Sequence, residues 1–428
     1  MSNCNKENLF KMLSSGTSPY MVVKESVEQL EEAGFKRLEL KHDWGLDHGG
    51  KYYVEHHGSS LFAFAVGRDF AFRENFKIVT AHTDFPGFRI KPNPDLVTNK
   101  YCQINVEVYG GPILNTWLDR PLSAAGRVTL KSDDVFHPKI RIIDLKKPLF
   151  IIPNLAIHLN RDINKGIELN KQIDLLPITA IVNEELGGER FIKYLAKELN
   201  TSPEAILDYE LNLYNLDEPC LLGMEEEFLS SPRIDNLTSV QAALTGMIQS
   251  KAITGINVAA LFDHEEVGSR TKQGAGSSIL ALLLEKIFLS FGRDRAKFLS
   301  AVSDSCMLSV DVAHGLHPNK MGRHDITNQP VLGQGVCIKE SCSQSYATDS
   351  EAIAIVEQLC LANHIAYQKF ANRSDIAGGS TIGAIASTHL PMRIVDIGIP
   401  ILAMHSSREV MGIKDQDNLI KILQVYFS

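Results

Sequence analysis

The sequence predicts an α/β fold built on a mainly parallel sheet and interrupted once by an inserted, mainly β domain. Three observations lead there. Short, almost wholly apolar runs such as "FKIVTAHTD" and "GINVAALF" alternate with longer helical patterns such as "SSILALLLEKIFLSF". Strands buried on both faces read as continuous apolar runs, and their alternation with helices marks a parallel sheet. From about Phe88 to Pro232 the pattern changes to many short β-branched runs separated by Gly, Pro and Asn/Asp turns, the mark of a separate, mainly β domain. Finally, 428 residues with 44% hydrophobic content can bury the cores of two such bodies. The expected division is 1–87 with 233–428 for the α/β domain and 88–232 for the β-rich insertion.

In chain order, Ser18 is an N-cap candidate and Pro19 a first helical residue, with Val22, Val23, Val27 and Leu30 at helical spacing. Gly34 ends that helix before a short strand. "SSLFAFAVG" and "FKIVTAHTD" follow as buried strands, the second ending in His82 and Asp84. "QINVEVYG", "GRVTL", "KIRIID" and "DLLPITAIV" supply strands of the insertion. Beyond Pro232 come the helix "NLTSVQAALTGMIQS", the strand "GINVAALF", the helix "SSILALLLEKIFLSF" and the strand "CMLSV". The tail continues with "SEAIAIVEQLCLANH" (helix), "MRIVDIGI" (strand) and "DNLIKILQVYF" (helix).

A net charge of -8 with no cluster of Lys and Arg interleaved with aromatics argues against a nucleic-acid partner. "MSNCNKENLFKML" has no apolar signal core, and Glu285 and Lys286 interrupt the most apolar helix, so neither secretion nor a membrane span is expected. The seven cysteines are scattered and never form C-x-x-C. They read as free thiols in a reducing compartment, the cytoplasm.

The chemistry-bearing residues follow a rule. His82 follows "KIVTA", Glu265 and Glu266 follow "INVAALF", Asp311 follows "CMLSV" and His405 follows "IPILAM". Open α/β sheets build their sites just beyond strand C-termini. Asp235 precedes a helix and by itself reads equally well as an N-cap. Singly, His82 reads as a core histidine, Asp311 as a turn residue and His405 as a polar helix start. Together they offer two imidazoles and three carboxylates, a set suited to two divalent cations. Such a pair, about 3.5–4 Å apart, needs a bridging carboxylate, a bridging water and a further carboxylate to accept that water's proton. Adjacent Glu265 and Glu266, projecting to opposite sides of a strand end, meet the need for one ligand and one base. "HEEVG" lacks the second histidine of H-E-x-x-H, and "AGGSTIGA" is not a G-x-S-x-G elbow.

These residues lie within "TAHTDFPGFRIKP", "PNLAIHLNR", "SPRIDNLTS", "DHEEVGS", "SVDVAHGLHPN", "GGSTIG" and "LAMHSSRE". In these motifs and their order the chain resembles the aspartyl aminopeptidase family, which includes the vacuolar aminopeptidase of yeast, across nearly its whole length. The resemblance implies a dizinc aminopeptidase fold whose insertion serves dimerisation. It implies two divalent ions per subunit, zinc foremost with manganese or cobalt compatible. One ion would be held by His82 and Asp311, the other by Glu266 and His405, with Asp235 bridging and the Asp235–Asn236 peptide cis. Glu265 would be the general base and Asp84 would orient the His82 imidazole. Dimers would assemble into a tetrahedral dodecamer in which His158 reaches a neighbour's site and stabilises the oxyanion.

His314 and Lys339 would flank the pocket for the substrate's first side chain, although Lys339 by itself reads as a surface lysine. The expected reaction is removal of an N-terminal residue, Asp or Glu by preference, from peptides by a metal-bound hydroxide. Gly315 and Lys320 depart from the alanine and aromatic residue commoner in relatives, which leaves that preference open. The alternatives are a neutral or basic preference, a related dizinc amidohydrolase acting on N-acyl amino acids, and an assembling scaffold without catalysis.

Overall fold

Ser18 accepts a hydrogen bond from Met21 N at 3.3 Å, and Pro19 opens the helix Pro19–Glu32, as local sequence dictates. That helix belongs to the first of two units in a computed structural model, which describes residues 3–182 and 189–428. The first unit comprises the chain up to Phe85 with Pro219–Met404 and Glu409–Ser428. The second comprises Pro86–Glu218 with His405–Arg408.

The main sheet of the first unit contains β1 (Lys36–Leu38), β2 (Lys51–His56), β3 (Ser60–Val66), β4 (Phe76–His82), β5 (Ile256–Phe262), β6 (Cys306–Val310), β7 (Val336–Glu340), β8 (Tyr367–Ala371) and β9 (Arg393–Gly398). Their spatial order is β1-β2-β3-β5-β4-β6-β9-β7-β8. The inner strands β5, β4, β6 and β9 are mutually parallel, whereas β3 and β7 pair antiparallel with their inner neighbours. Every residue of β3 and of β5 is buried, which is why both read as unbroken apolar runs. One side of the sheet is covered by Ile234–Gln249 and Ile413–Phe427, the other by Ile279–Ser290 and Arg295–Ser303. Among the described residues no helix is long and apolar enough to cross a membrane.

Phe288 shows how the second of these layers is held. It is fully buried, with ring centroids 5.0 Å from Phe76, 5.8 Å from Phe70 and 6.0 Å from Phe298. Phe288→Ala is expected to cost about 3–5 kcal/mol. Denaturant unfolding followed by circular dichroism should show it, and an unchanged midpoint would mean that this layer does not limit stability.

A smaller sheet in the same unit joins Cys220–Leu222, Phe228–Ser231, Glu409–Gly412, Pro400–Leu402 and Ala313–His314. Pairing of Phe228–Ser231 with Glu409–Gly412 draws Pro219–Pro232 into the first unit, although the sequence reading assigned that stretch to the insertion. The second unit is an antiparallel sheet ordered Lys139–Asp144, Leu122–Leu130, Ile206–Asn215, Gly87–Thr98, Tyr101–Tyr109 and Ile178–Ile181. Its core gathers Phe88, Val106, Trp117 and Leu211.

Candidate metal centre

In the order β5-β4-β6, three parallel strands end side by side, roughly 4.8 Å apart. Phe262 pairs with His82 and Ser309 with Thr80, so residues just past β5 and β6 emerge level with the end of β4. The chain leaves β4 with β5 on one side and β6 on the other, and such a switch point opens a crevice at the strand C-termini. His82, Glu265, Glu266 and Asp311 therefore meet because of strand order.

His82 is 1% exposed. Its Nε2 lies 3.4 Å from Asp235 Oδ1 and 3.6 Å from Asp311 Oδ1, while Nδ1 is 2.9 Å from the backbone carbonyl of Asp84. A proton held at Nδ1 by that carbonyl leaves the Nε2 lone pair for a cation. Burial opposes charge on this ring. The carboxylates of Asp235, Asp311 and Asp84, with Glu265 behind them, nevertheless hold its pKa well above an ordinary histidine's. The pocket thus demands positive charge, and a cation would take the place of that proton.

Asp235 does not cap the helix Ile234–Gln249. Arg233 holds the N-cap position at φ 61°, and Asp235 and Asn236 have non-helical dihedrals with a cis peptide between them. Asp235 N donates to Glu409 Oε2 at 3.0 Å, and Asn236 Nδ2 donates to the Val310 carbonyl at the end of β6 at 2.9 Å. These bonds hold the Asp235 carboxylate against His82. Glu409, which closes the "LAMHSSRE" motif, is a residue of this site that the sequence alone does not single out. Nothing local shows that this acid is 2% exposed.

Glu265 and Glu266 correct a second expectation. They do not sit on an extended strand end but in the 3-10 turn Glu265–Val267, entered through His264 at φ 64°. In such a turn successive side chains diverge by about 120°, which still separates the two carboxylates. Asp84 organises the turn: its Oδ1 accepts from Glu265 N and its Oδ2 from Glu266 N, each at 3.1 Å. The Asp84 carboxylate lies 3.5 Å from His82 Nδ1, so it is chiefly the main-chain carbonyl of Asp84 that orients the imidazole. Burial pushes the Glu265 carboxyl up to about 8, with Asp311, Asp84 and Asp235 adding to the shift and His82 opposing it.

Donor atoms of His82, Asp235 and Asp311 lie within 4.8 Å of one another, as do those of His82, Glu265 and Glu266; the Asp235 and Glu266 carboxylates also approach that closely. This mixture of imidazole nitrogen and carboxylate oxygen, with Asp235 shared between groups, fits divalent ions of zinc's character.

His405 groups with the second unit, where its Nδ1 is 3.1 Å from the Gly111 carbonyl. His158 is exposed in the irregular segment 153–160 of that unit. His314 is exposed on Ala313–His314 and lines a cavity of about 290 Å³ together with Arg323, Arg373, Phe370 and Leu402. Lys339 is not a surface residue: it is 1% exposed on β7. Its apolar neighbours along "VCIKE" are buried with it, because β7 is packed on both faces. Burial opposes the Lys339 charge, but Asp311, Tyr346, Asp396 and Asp235 raise its pKa above the usual lysine value.

A family model described as aminopeptidase I zinc metalloprotease (M18) matches residues 12–427. The chain is 45% identical over 424 residues to a probable M18 family aminopeptidase 2 of Clostridium acetobutylicum, covering 99% of this chain and 98% of that relative. Its fold is similar to that in the cryo-EM structure of the Ape4 and Nbr1 complex, with a TM-score of 0.94 and 33% identity over 99% of this chain and 85% of that one. It is also similar to the S. cerevisiae mApe1 dodecamer, with a TM-score of 0.86 and 26% identity over 99% of this chain and 96% of that one.

Proposed function

The chain belongs to the M18 family of zinc metalloproteases and is an aminopeptidase; from that premise we propose that it removes acidic N-terminal residues from peptides at a two-ion centre built on Asp235. The observation that carries this reading is the convergence of His82, Asp235, Glu265, Glu266 and Asp311 at three parallel strand ends. His82 and Asp311 would hold one ion, Glu266 and His405 the other, with the Asp235 carboxylate available to both. Zinc, when bound, supplies Lewis acidity that brings the pKa of a coordinated water towards ~7.

The protein's own groups do the rest. Glu265 takes a proton from the attacking water and returns it to the leaving amine. Asp84 keeps Glu265 and Glu266 apart through the backbone bonds of their turn. The acidic preference is supported by the cavity beside His314, where Arg323 supplies guanidinium charge, while Arg373 on the same wall is held by the Asp375 carboxylate at 2.6 Å. The carboxylate of Asp325, the acid on that wall, is turned to its own loop, with Oδ1 accepting from Thr327 N at 3.1 Å and Asn328 N at 2.8 Å.

His158 acts on the oxyanion in a neighbouring subunit, within dimers that build a tetrahedral dodecamer. An exposed position on the second unit and similarity to a dodecameric protein support that reading. Free cysteines throughout support work in the reducing cytoplasm.

The test compares aspartyl, glutamyl, leucyl and lysyl chromogenic amides, and N-acetyl-aspartyl amide, before and after chelation. Aspartyl or glutamyl amide should be cleaved fastest, the acetylated amide should resist, and verified metal-free protein should be inactive. Faster cleavage of leucyl or lysyl amide would overturn the acidic preference, and turnover of the acetylated amide would point to an N-acyl amidohydrolase.

A further inference from the structure

We infer that Asp415 is a positioning residue for substrate selection: from the first turn of the helix Ile413–Phe427 it anchors the loop 315–335, which walls the cavity beside His314. The inference rests on the reading that this cavity receives the substrate's first side chain. Asp415 is buried. An acid in the first turn ordinarily serves its own helix N-terminus, but here both oxygens are taken by another segment. Oδ2 accepts from Gly333 N at 2.6 Å and Oδ1 from Gly335 N at 2.8 Å. Gly333 and Gly335 have φ of 82° and 105°, and their amides meet one carboxylate in the way that backbone concavities receive anions. Burial pushes the Asp415 carboxyl up to about 6 while the two amides hold it down, so it is ionised at neutral pH.

The stem of the loop is clasped and the loop is tied within itself. Gly412 caps the helix and packs so closely on the stem that a Cβ there would strike Gly333 N. Gln368 on β8 holds the same stem: its Oε1 accepts from Val331 N at 2.8 Å, and its Nε2 donates to the carbonyls of Val331 at 3.0 Å and Gly335 at 3.1 Å. Leu316 N donates to the Pro330 carbonyl at 2.7 Å and closes the loop. Further out, Gln329 Nε2 donates to the Asp325 carbonyl at 2.7 Å and His317 N to His324 Nε2 at 3.1 Å. Movement at Gly333 and Gly335 is therefore passed to His317, Arg323 and His324, which line the cavity with His314. Asp415 is outside the groups of metal donors, so its anchor bears on binding of the side chain and not on the hydrolytic step.

The test is Asp415→Asn, which keeps the shape but sets an amide N–H against one of the two glycine N–H groups. kcat and KM for aspartyl and leucyl amides are measured beside bound zinc, with hydrogen exchange followed across residues 316–332. KM for the aspartyl amide should rise about 10-fold, the worth of one such hydrogen bond, with kcat and bound zinc close to wild type. A change in KM alone reports lost binding and spares the catalytic groups. The leucyl amide should change less, because its side chain draws on no charge in the wall, and residues 316–332 should exchange faster. Unaltered KM, equal loss on both amides, lowered zinc or unaltered exchange in the loop would each overturn the inference.

Gly333→Ala reaches the same contact from the loop should Asp415→Asn misfold. A Cβ there meets no atom within 4 Å, but a φ of 82° disfavours any side chain. KM for the aspartyl amide should rise again, and an unchanged KM would count against the anchor. If the wild type prefers the leucyl amide or cleaves neither, the proposed acidic preference fails. Hydrogen exchange in Asp415→Asn still judges the anchor: faster exchange across 316–332 upholds it and unchanged exchange refutes it.

Discussion

Glu265→Gln is expected to lower turnover by ~100-fold or more while leaving bound metal unchanged. The substitution keeps size and hydrogen-bonding capacity but removes the ability to accept a proton. The turn that carries residue 265 is held through its backbone by Asp84, so geometry should survive. In the protein alone, burial and the surrounding carboxylates push the Glu265 carboxyl up to about 8, which would leave it mostly protonated at neutral pH. Positive charge bound among Asp235, Asp311 and Glu266 would lower that value and favour the carboxylate form that a base needs. kcat on an aspartyl amide, with metal content measured on the same sample, checks this. Near-normal turnover would remove Glu265 from the mechanism, and loss of metal would make it a ligand.

Asp235→Asn is expected to have the other large effect, through binding. The Asp235 carboxylate lies within 4.8 Å of donors from His82 and Asp311 and of the Glu266 carboxylate, so one substitution would strip negative charge from both of the proposed ion positions. Asn keeps the shape and the backbone bond to Glu409 Oε2. Both bound metals should weaken together, and activity should fall beyond the ~10–100-fold found when only a ligand's supporting partner is lost. Equilibrium dialysis at fixed free zinc, followed by elemental analysis, distinguishes the outcomes. Loss of one ion with the other retained at full affinity would show that Asp235 serves a single position.

Much of this centre was legible in the sequence because strand burial is a local signal. "KIVTA", "INVAALF" and "CMLSV" read as buried strands, and His82, Glu265, Glu266 and Asp311 could be noted as residues just beyond their ends. The helix Pro19–Glu32, with its Ser18 cap, was legible for the same reason. Asp235 was harder, since an acid before a helix reads as a cap. Only the turn of its carboxylate towards His82, with its backbone N–H donating to Glu409 and the next asparagine tied to Val310, removes that reading.

Glu409 and Lys339 were opaque because a charged residue in a short strand looks exposed unless its neighbours across the sheet are known. Asp84 was noted beside His82, but that its carboxylate serves a turn 181 residues away in sequence could not be read there. By itself the sequence determined the alternation of elements and the residues at each strand end, because hydrophobic periodicity records local burial. The tertiary structure alone decided that β5, β4 and β6 are neighbours, that Asp84 shapes the Glu265–Glu266 turn and that Lys339 lies beneath Asp311. Those outcomes depend on strand pairing and on bonds between residues far apart in the chain, and periodicity carries no record of either.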